Sequence, residues 1–430
     1  MDSTSTTASA PHVLDDIQII DCDAHFTEQP DLWSSRVAAS MRGRVPEHRT
    51  VDGITSWYYK DELWASLGGN VIGTGREKFH GGTIFQPFER VDACAWSVAE
   101  RLRLMDDMGI YAQVIYPNGV GFSSNHIFAI DDLADRTLIL QTYNDFFVDI
   151  QVESKNRLFP QAILPIWDME LTLKEMTRLL DKGIRGFTLS DKPELLGLPE
   201  LPESYFAPMW DLFNESGAVA NFHIGSGRRK EEKEAVIKDF VGAGVPPEMS
   251  QEIVANPSTV PNFAWRSFGT QRRMTIFMSS VQTSNMRIIA NLCMSNLFDR
   301  YPKLQIVSAE SGIGWVPFLL ESLEYAFSDY VVDASELAQA QRRPTEYFRD
   351  HIYVMFWFEN SGPQKLIEEI GVNNILVETD VPHPTCLFPN ARDQFAKSLA
   401  GVSDHARRRI LQDNGAELYS IPLSVPSALG

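Results

Sequence analysis

Three ionisable residues at alternate positions, Asp21, Asp23 and His25, close the apolar run in the stretch IIDCDAHFTEQPDLW, residues 19–33. Carboxylates are rarely buried without a partner, so a strand ending this way needs a compensating charge on the same side. Period-two geometry puts the three side chains on one face, opposite Cys22 and Ala24. A metal cation on that face would compensate them; an exposed strand end with solvated acids is the plainer alternative. Three further strand-like runs finish in residues of the same kind: His223 in AVANFHIG, Glu310 in LQIVSAE and Asp380 in NNILVETD. Imidazole and carboxylate together make a mixed nitrogen and oxygen donor set, suited to Zn²⁺, Mn²⁺ or Fe²⁺ rather than to a thiolate-rich structural site. Taken singly, each residue has an ordinary reading. His223 fits a core histidine bonded to a carbonyl, Glu310 a cap of the helix starting near Trp315, and Asp380 a turn former ahead of VPHP. Coincidence at four strand ends favours the metal.

The elements that must bring these ends together alternate short apolar runs with helical stretches, the pattern of a parallel α/β fold. The candidate strands are IQIIDCD, AQVIYP, FPQAILPI, GIRGFTLS, AVANFHIG, LQIVSAE, HIYVMFW and NNILVETD. Helical patterns such as SVAERLRLMDDMG and LTLKEMTRLLDKG separate them and end in glycine just before the next strand, a usual helix stop. Eight strands with intervening helices predict a (β/α)₈ TIM barrel, whose strand C-termini converge on one cavity. One domain over residues 16–422 is expected, with a disordered N-terminal tail at 1–15 and a C-terminal tail at 423–430. Two stretches exceed a minimal barrel, at about 41–92 after the first strand and about 226–278 after the fifth. Both emerge at the C-terminal rim, where long loops act as lids or substrate walls. Their aromatics, in TSWYYKDELW and NFAWRSFG, suit a planar substrate, and suit core or interface positions equally.

Composition narrows the partners. Of 430 residues, 44% are hydrophobic and 22% charged, enough apolar material for a large core. The excess of 57 acidic over 38 basic residues, a formal net charge of −19, argues against nucleic acid or an anionic membrane as the main partner. A small anionic substrate stays open, because a local cation overrides the global field. Cys22, Cys94, Cys293 and Cys386 are scattered without a CxxC pair and read as reduced thiols of a cytoplasmic protein. The N-terminal tail has neither a basic nor an apolar region of a signal peptide. No run of about eighteen apolar residues would span a membrane.

The motifs DCDAHFTEQPDLW, NFHIG, SAESGIGWVPFLLE, ETDVPHPT and NGAELY, in this order along nearly the whole chain, resemble the amidohydrolase superfamily. The likeness is to the amidohydrolase-related group that contains aminocarboxymuconate-semialdehyde decarboxylase and resorcylate-type decarboxylases. The resemblance implies four metal ligands: Asp23 and His25 from the strand-one pair, His223 from strand five and Asp380 from strand eight. His383 in the DVPHP turn matches a common family feature, as a residue behind the ligands or a structural one. One divalent ion is implied, Zn²⁺ first and Mn²⁺ second, together with a homodimer or larger homo-oligomer. Two departures stand out. Glu310 occupies the place of the histidine that the group's decarboxylases carry at the end of strand six. RGFTLS on strand four offers no lysine whose carbamate could bridge two metals, so one ion is the safer inference.

A single divalent ion with an open position supports two chemistries. It can activate water against an amide, ester, lactone or vinylogous ketone. It can instead chelate a substrate carboxylate and neighbouring hydroxyl, while Asp380 delivers a proton to the ring carbon and CO₂ leaves. The resemblance favours this non-oxidative decarboxylation of a small aromatic or unsaturated acid. Hydrolysis is the alternative, and an inactive barrel that only binds a ligand is a third reading. Asp380, Glu310 and His223 are the candidate catalytic residues, Asp380 as the proton carrier in either chemistry. Arg228, Arg229, Arg266 and Arg287 are candidates to hold a substrate carboxylate.

Overall fold

The computed structural model of the protein describes residues 12–51, 54–78, 87–122, 125–225, 275, 279–329, 335 and 341–424. Its eight parallel barrel strands are β1 (Ile19–Phe26), β5 (Ile110–Pro117), β6 (Leu158–Ile163), β7 (Gly186–Thr188), β8 (Val219–His223), β9 (Gln305–Ala309), β10 (Ile352–Phe356) and β11 (Ile375–Val377). They close in the order β1-β11-β10-β9-β8-β7-β6-β5, so each of the eight apolar runs in the sequence supplies one strand. Helices fill most of the connections, as at Val98–Met108, Leu133–Glu153 and Met169–Asp181. Their starts are capped by side chains that accept a backbone N–H: Ser97, Asp132 and Asp168. The first of them ends at Gly109 in a left-handed conformation, the expected stop.

Two apolar layers build the core. One packs the helices on the outside of the barrel. The other fills its interior with Ile20, Cys22, Ala112, Val114, Val219, Val307, Met355 and Leu376, and takes in Ala416, Leu418, Tyr419 and Ile421 from the end of the chain. That last segment closes the N-terminal mouth of the barrel. The Tyr419 hydroxyl donates to Asn221 Oδ1 at 2.6 Å, and the Tyr116 hydroxyl to the same atom at 3.0 Å. Gly415 is required there, since a Cβ would stand 2.9 Å from Cys22 Sγ and from Ile20.

The first rim stretch forms an element that hydrophobic periodicity did not predict, an antiparallel sheet of β2 (Glu47–Val51), β3 (Ile54–Tyr59) and β4 (Glu62–Ser66). Its Trp57 and Trp64 are buried edge-on against Trp33, with ring centroids 4.8 and 5.4 Å away. These aromatics are therefore core. The second rim stretch, with NFAWRSFG, Arg228, Arg229 and Arg266, falls outside the described residues. Among the described residues no helix is long and apolar enough to cross a membrane. All four cysteines are buried and free.

Candidate metal centre

Asp21, Asp23 and His25 do not share a face. The pairing of β1 with β5 is irregular between Asp21 and Ala24, and the alternation shifts there by one residue. Cys22 belongs to the barrel interior, yet Asp23 and His25 face that interior too, while Ala24 and Phe26 pack in the outer layer. Asp21 is left on the outer side, where its carboxylate needs no cation. It accepts from Gln113 Nε2 at 2.7 Å, from Thr379 N at 2.8 Å and from the Thr379 hydroxyl. Behind it the buried Arg101 donates to Gln113 Oε1 and, at 2.7 Å, to the carbonyl of His25. Asp21 is thus a tie between β1, β5 and β11 beneath the site. Burial pushes its carboxyl up to about 6, against the pull of those hydrogen bonds.

The strand ends do converge. Nε2 of His223, at the end of β8, lies 3.3 Å from Asp23 Oδ2 and 3.4 Å from Glu310 Oε2. Nε2 of His25 lies 3.6 Å from Asp23 Oδ1 and 3.8 Å from Asp380 Oδ1. His25, Glu310, Asp380 and His383 each offer a ligand atom within 4.8 Å of the others, and Asp23, His25 and His223 do the same. All six side chains are buried.

The imidazoles are set for ligation. His25 Nδ1 donates to the Pro117 carbonyl at 3.0 Å and His223 Nδ1 to the Ile224 carbonyl at 2.8 Å, which leaves each Nε2 lone pair aimed inward. Burial holds both rings neutral, His223 down to about 4 and His25 well below the ordinary imidazole value. Neither Nε2 nor either Asp23 oxygen has a hydrogen-bond partner. Buried polar atoms left unpaired cost about 1–3 kcal/mol each, and more for a carboxylate. Burial, and then the charge of Asp380, drives Asp23 and Glu310 well above the carboxylate range. A divalent cation answers each of these observations at once.

Glu310 does not cap the helix Val316–Asp329. Glu359 serves that end of the chain, accepting from Ile313 N and Gly314 N, both at 3.0 Å. Glu310 and Asp380 instead hold positive φ, 50° and 60°, a costly conformation outside glycine that is often kept at functional sites. Asp380 is fixed further by the Thr385 hydroxyl and by His383 Nδ1, whose Nε2 meets Asn118 Oδ1 at 3.3 Å. Phe122 covers the histidines, its ring centroid 4.3 Å from that of His223 and 4.6 Å from that of His25. Arg287 is bonded to the Asp191 carbonyl and to Glu194, at an exposed position. β7 places Gly186–Thr188 in the barrel with no lysine.

Sequence reasoning missed Asn118, Phe122, Thr385 and Glu378, which carry no pattern. Glu378 follows β11 directly, two residues before Asp380. It is fully buried, with Oε2 accepting the Glu310 N–H at 3.1 Å and Oε1 unpaired.

Comparisons with known proteins agree with this architecture. Gamma-resorcylate decarboxylase from Polaromonas sp. (strain JS666 / ATCC BAA-500) is 22% identical over 333 residues, spanning 75% of this chain and 86% of that protein. An amidohydrolase from Mycobacterium avium subsp. paratuberculosis K-10 superposes with a TM-score of 0.66 at 18% identity, covering 96% of this chain and 99% of the other. Dihydroxybenzoic acid decarboxylase from Polaromonas sp. JS666, solved with bound manganese and the inhibitor 2-nitroresorcinol, gives 0.58 at 18% identity over 94% and 97% of the two chains. The sequence profile of one family, described as Amidohydrolase, matches residues 20–421. With a closed eight-stranded parallel barrel, ligand-type residues at its strand ends and a profile match over nearly its whole length, the chain belongs to the Amidohydrolase family.

Proposed function

We propose that this protein is a metal-dependent, non-oxidative decarboxylase of a small aromatic carboxylic acid. The observation that carries the reading is the inward pair of unpartnered imidazole Nε2 atoms beside an unpartnered Asp23 carboxylate. The choice of decarboxylation follows the relatives, which are named as decarboxylases of resorcylate and dihydroxybenzoate. Asp23, His25, His223 and Asp380 would hold a divalent cation, which when bound would supply positive charge against the substrate carboxylate. The donor set suits Zn²⁺ and Mn²⁺ alike, and manganese is the ion named with the dihydroxybenzoic acid decarboxylase. The protein is proposed to work as a homo-oligomer in the cytoplasm, where its buried free thiols stay reduced.

The residues then divide the remaining work. The Pro117 and Ile224 carbonyls hold the tautomers of His25 and His223. Thr385 and His383 hold the Asp380 carboxyl in one orientation, from which it passes a proton to the substrate's ring carbon. The C–C bond to the carboxylate then breaks, its electron pair stays with the ring, and CO₂ departs. Phe122 keeps bulk water from the histidines. Glu310, against His223, orients substrate or handles the proton. Glu310→Gln should therefore retain the cation and lose about 10²-fold in turnover, the scale of general acid/base catalysis. Turnover near the parent value, with the cation in place, would remove Glu310 from the chemistry.

Hydrolysis is the second reading, favoured by Glu310 in place of the histidine that resembling decarboxylases carry. Turnover in H₂¹⁸O separates the two, using hydroxybenzoates, aryl esters and lactones as a substrate panel. Decarboxylation should release CO₂ and put a solvent proton on carbon, without ¹⁸O in the organic product. One ¹⁸O in a new carboxylate, with no CO₂ formed, would establish the hydrolase.

A further inference from the structure

We infer that Glu28 is a positioning residue: it grips the loop 118–122 so that Asn118, and through His383 the Asp380 carboxyl, keep the orientation that proton transfer needs. The inference rests on the proposed role of Asp380 as proton carrier and extends it to a residue outside the cation site.

Glu28 lies two residues beyond the end of β1 and three beyond His25, and it is fully buried. Its two side-chain oxygens meet three donors. Oε2 accepts the N–H of Gly119 at 2.8 Å. Oε1 accepts the Tyr143 hydroxyl at 2.9 Å and the N–H of Val120 at 3.4 Å. Tyr143 belongs to the helix Leu133–Glu153, so one side chain joins the end of the ligand strand, that helix and the loop after β5. The gripped segment and the residue before it reach the site at three points. The Pro117 carbonyl accepts from His25 Nδ1, Asn118 Oδ1 meets His383 Nε2 at 3.3 Å, and the Phe122 ring lies over His25 and His223. Thr27, next to Glu28, completes the grip: its hydroxyl accepts from Asn118 Nδ2 at 2.9 Å, which leaves the amide oxygen for His383. His383 in turn holds Asp380. Acceptor oxygens on two successive N–H groups fix the loop in position and in tilt. Glutamine offers one such oxygen and would turn its amino group toward a donor.

Amide exchange tests the grip without metal or substrate. In the metal-free protein, the segment 118–122 should exchange faster in Glu28→Gln than in the parent, because its N–H groups have lost their acceptor. Turnover at saturating Mn²⁺ tests the consequence. Glu28→Gln should lose about 10²-fold in kcat, the scale of a misplacement of about 1 Å, with KM changed far less. Asn118→Ala should lose a comparable factor. Because both act through His383, the double variant should lose about that same factor and not the product of the two. Glu28→Asp, which sets both oxygens back by one methylene, should follow the glutamine variant in the same cycle. Unchanged exchange or parent-like kcat in Glu28→Gln would overturn the inference and leave the metal centre and the reaction standing. Losses that multiply would make Glu28 a structural brace and overturn it too, as would failure of both Glu28 variants to fold. A parent protein with no turnover on the substrate panel would overturn the proposed function and the inference with it.

Discussion

Replacing His223 with alanine is expected to leave the protein with little bound divalent cation and essentially no turnover. The loss should exceed the about 10–100-fold typical of residues behind the ligands, because His223 offers the lone pair itself. Its Nε2 sits within 3.4 Å of carboxylate oxygens from both Asp23 and Glu310, so its removal opens one side of the donor set and also separates those two acids. The metal-free fold should survive. The ring makes a single hydrogen bond, to the carbonyl of the next residue, and that carbonyl can turn to water admitted by the smaller side chain. Elemental analysis after purification without added metal is the measurement. Full occupancy in the variant would remove His223 from the ligand set.

The second large effect is expected at Asp380. Asparagine there preserves shape, and it tolerates the positive φ of 60° better than most residues. What it loses is the transferable proton. Turnover should fall by about 10²–10⁴-fold and stay low when excess Zn²⁺ or Mn²⁺ restores occupancy. The saturating-metal condition matters because Asp380 is also a proposed ligand. A rate that returns toward the parent's with added metal would leave Asp380 a ligand only, and would move the proton to Glu310 or to water.

Much of the architecture was legible because hydrophobic periodicity is a local signal. Each of the eight runs from IQIIDCD to NNILVETD became a barrel strand, and the ligand-type residues at their ends arrived in one place through barrel closure alone. What the sequence hid depends on partners distant along the chain. Alternation assigned Asp21 to the face of Asp23, and the irregularity that sends it outward shows only in the pairing with β5. TSWYYKDELW reads as rim because nothing in it points to Trp33, the ring against which Trp57 and Trp64 are packed. Glu310 reads as a helix cap until Glu359, from beyond β10, is seen in that role. Glu378 was hidden although it lies two residues from Asp380, because an isolated glutamate near a strand end carries no signal until its burial is known.

The tie made by Asp21 has a consequence for how the molecule comes into being. Its carboxylate grips Thr379, 358 residues further along, and the floor of the barrel is laid by Tyr419 and its neighbours, further along still. Asp23 and His25 are translated first, while Asp380, beside them at the end of the neighbouring strand, follows more than 350 residues later. A growing chain therefore carries half a donor set until His223 is added, and completes it only once Asp380 has emerged. On the metal centre proposed here, ion capture becomes a late event that reports on completeness. A prematurely stopped chain lacking the last strand and the C-terminal plug would retain neither the ion nor a sealed barrel, and its exposed β1 and β10 edges would mark it for aggregation or proteolysis.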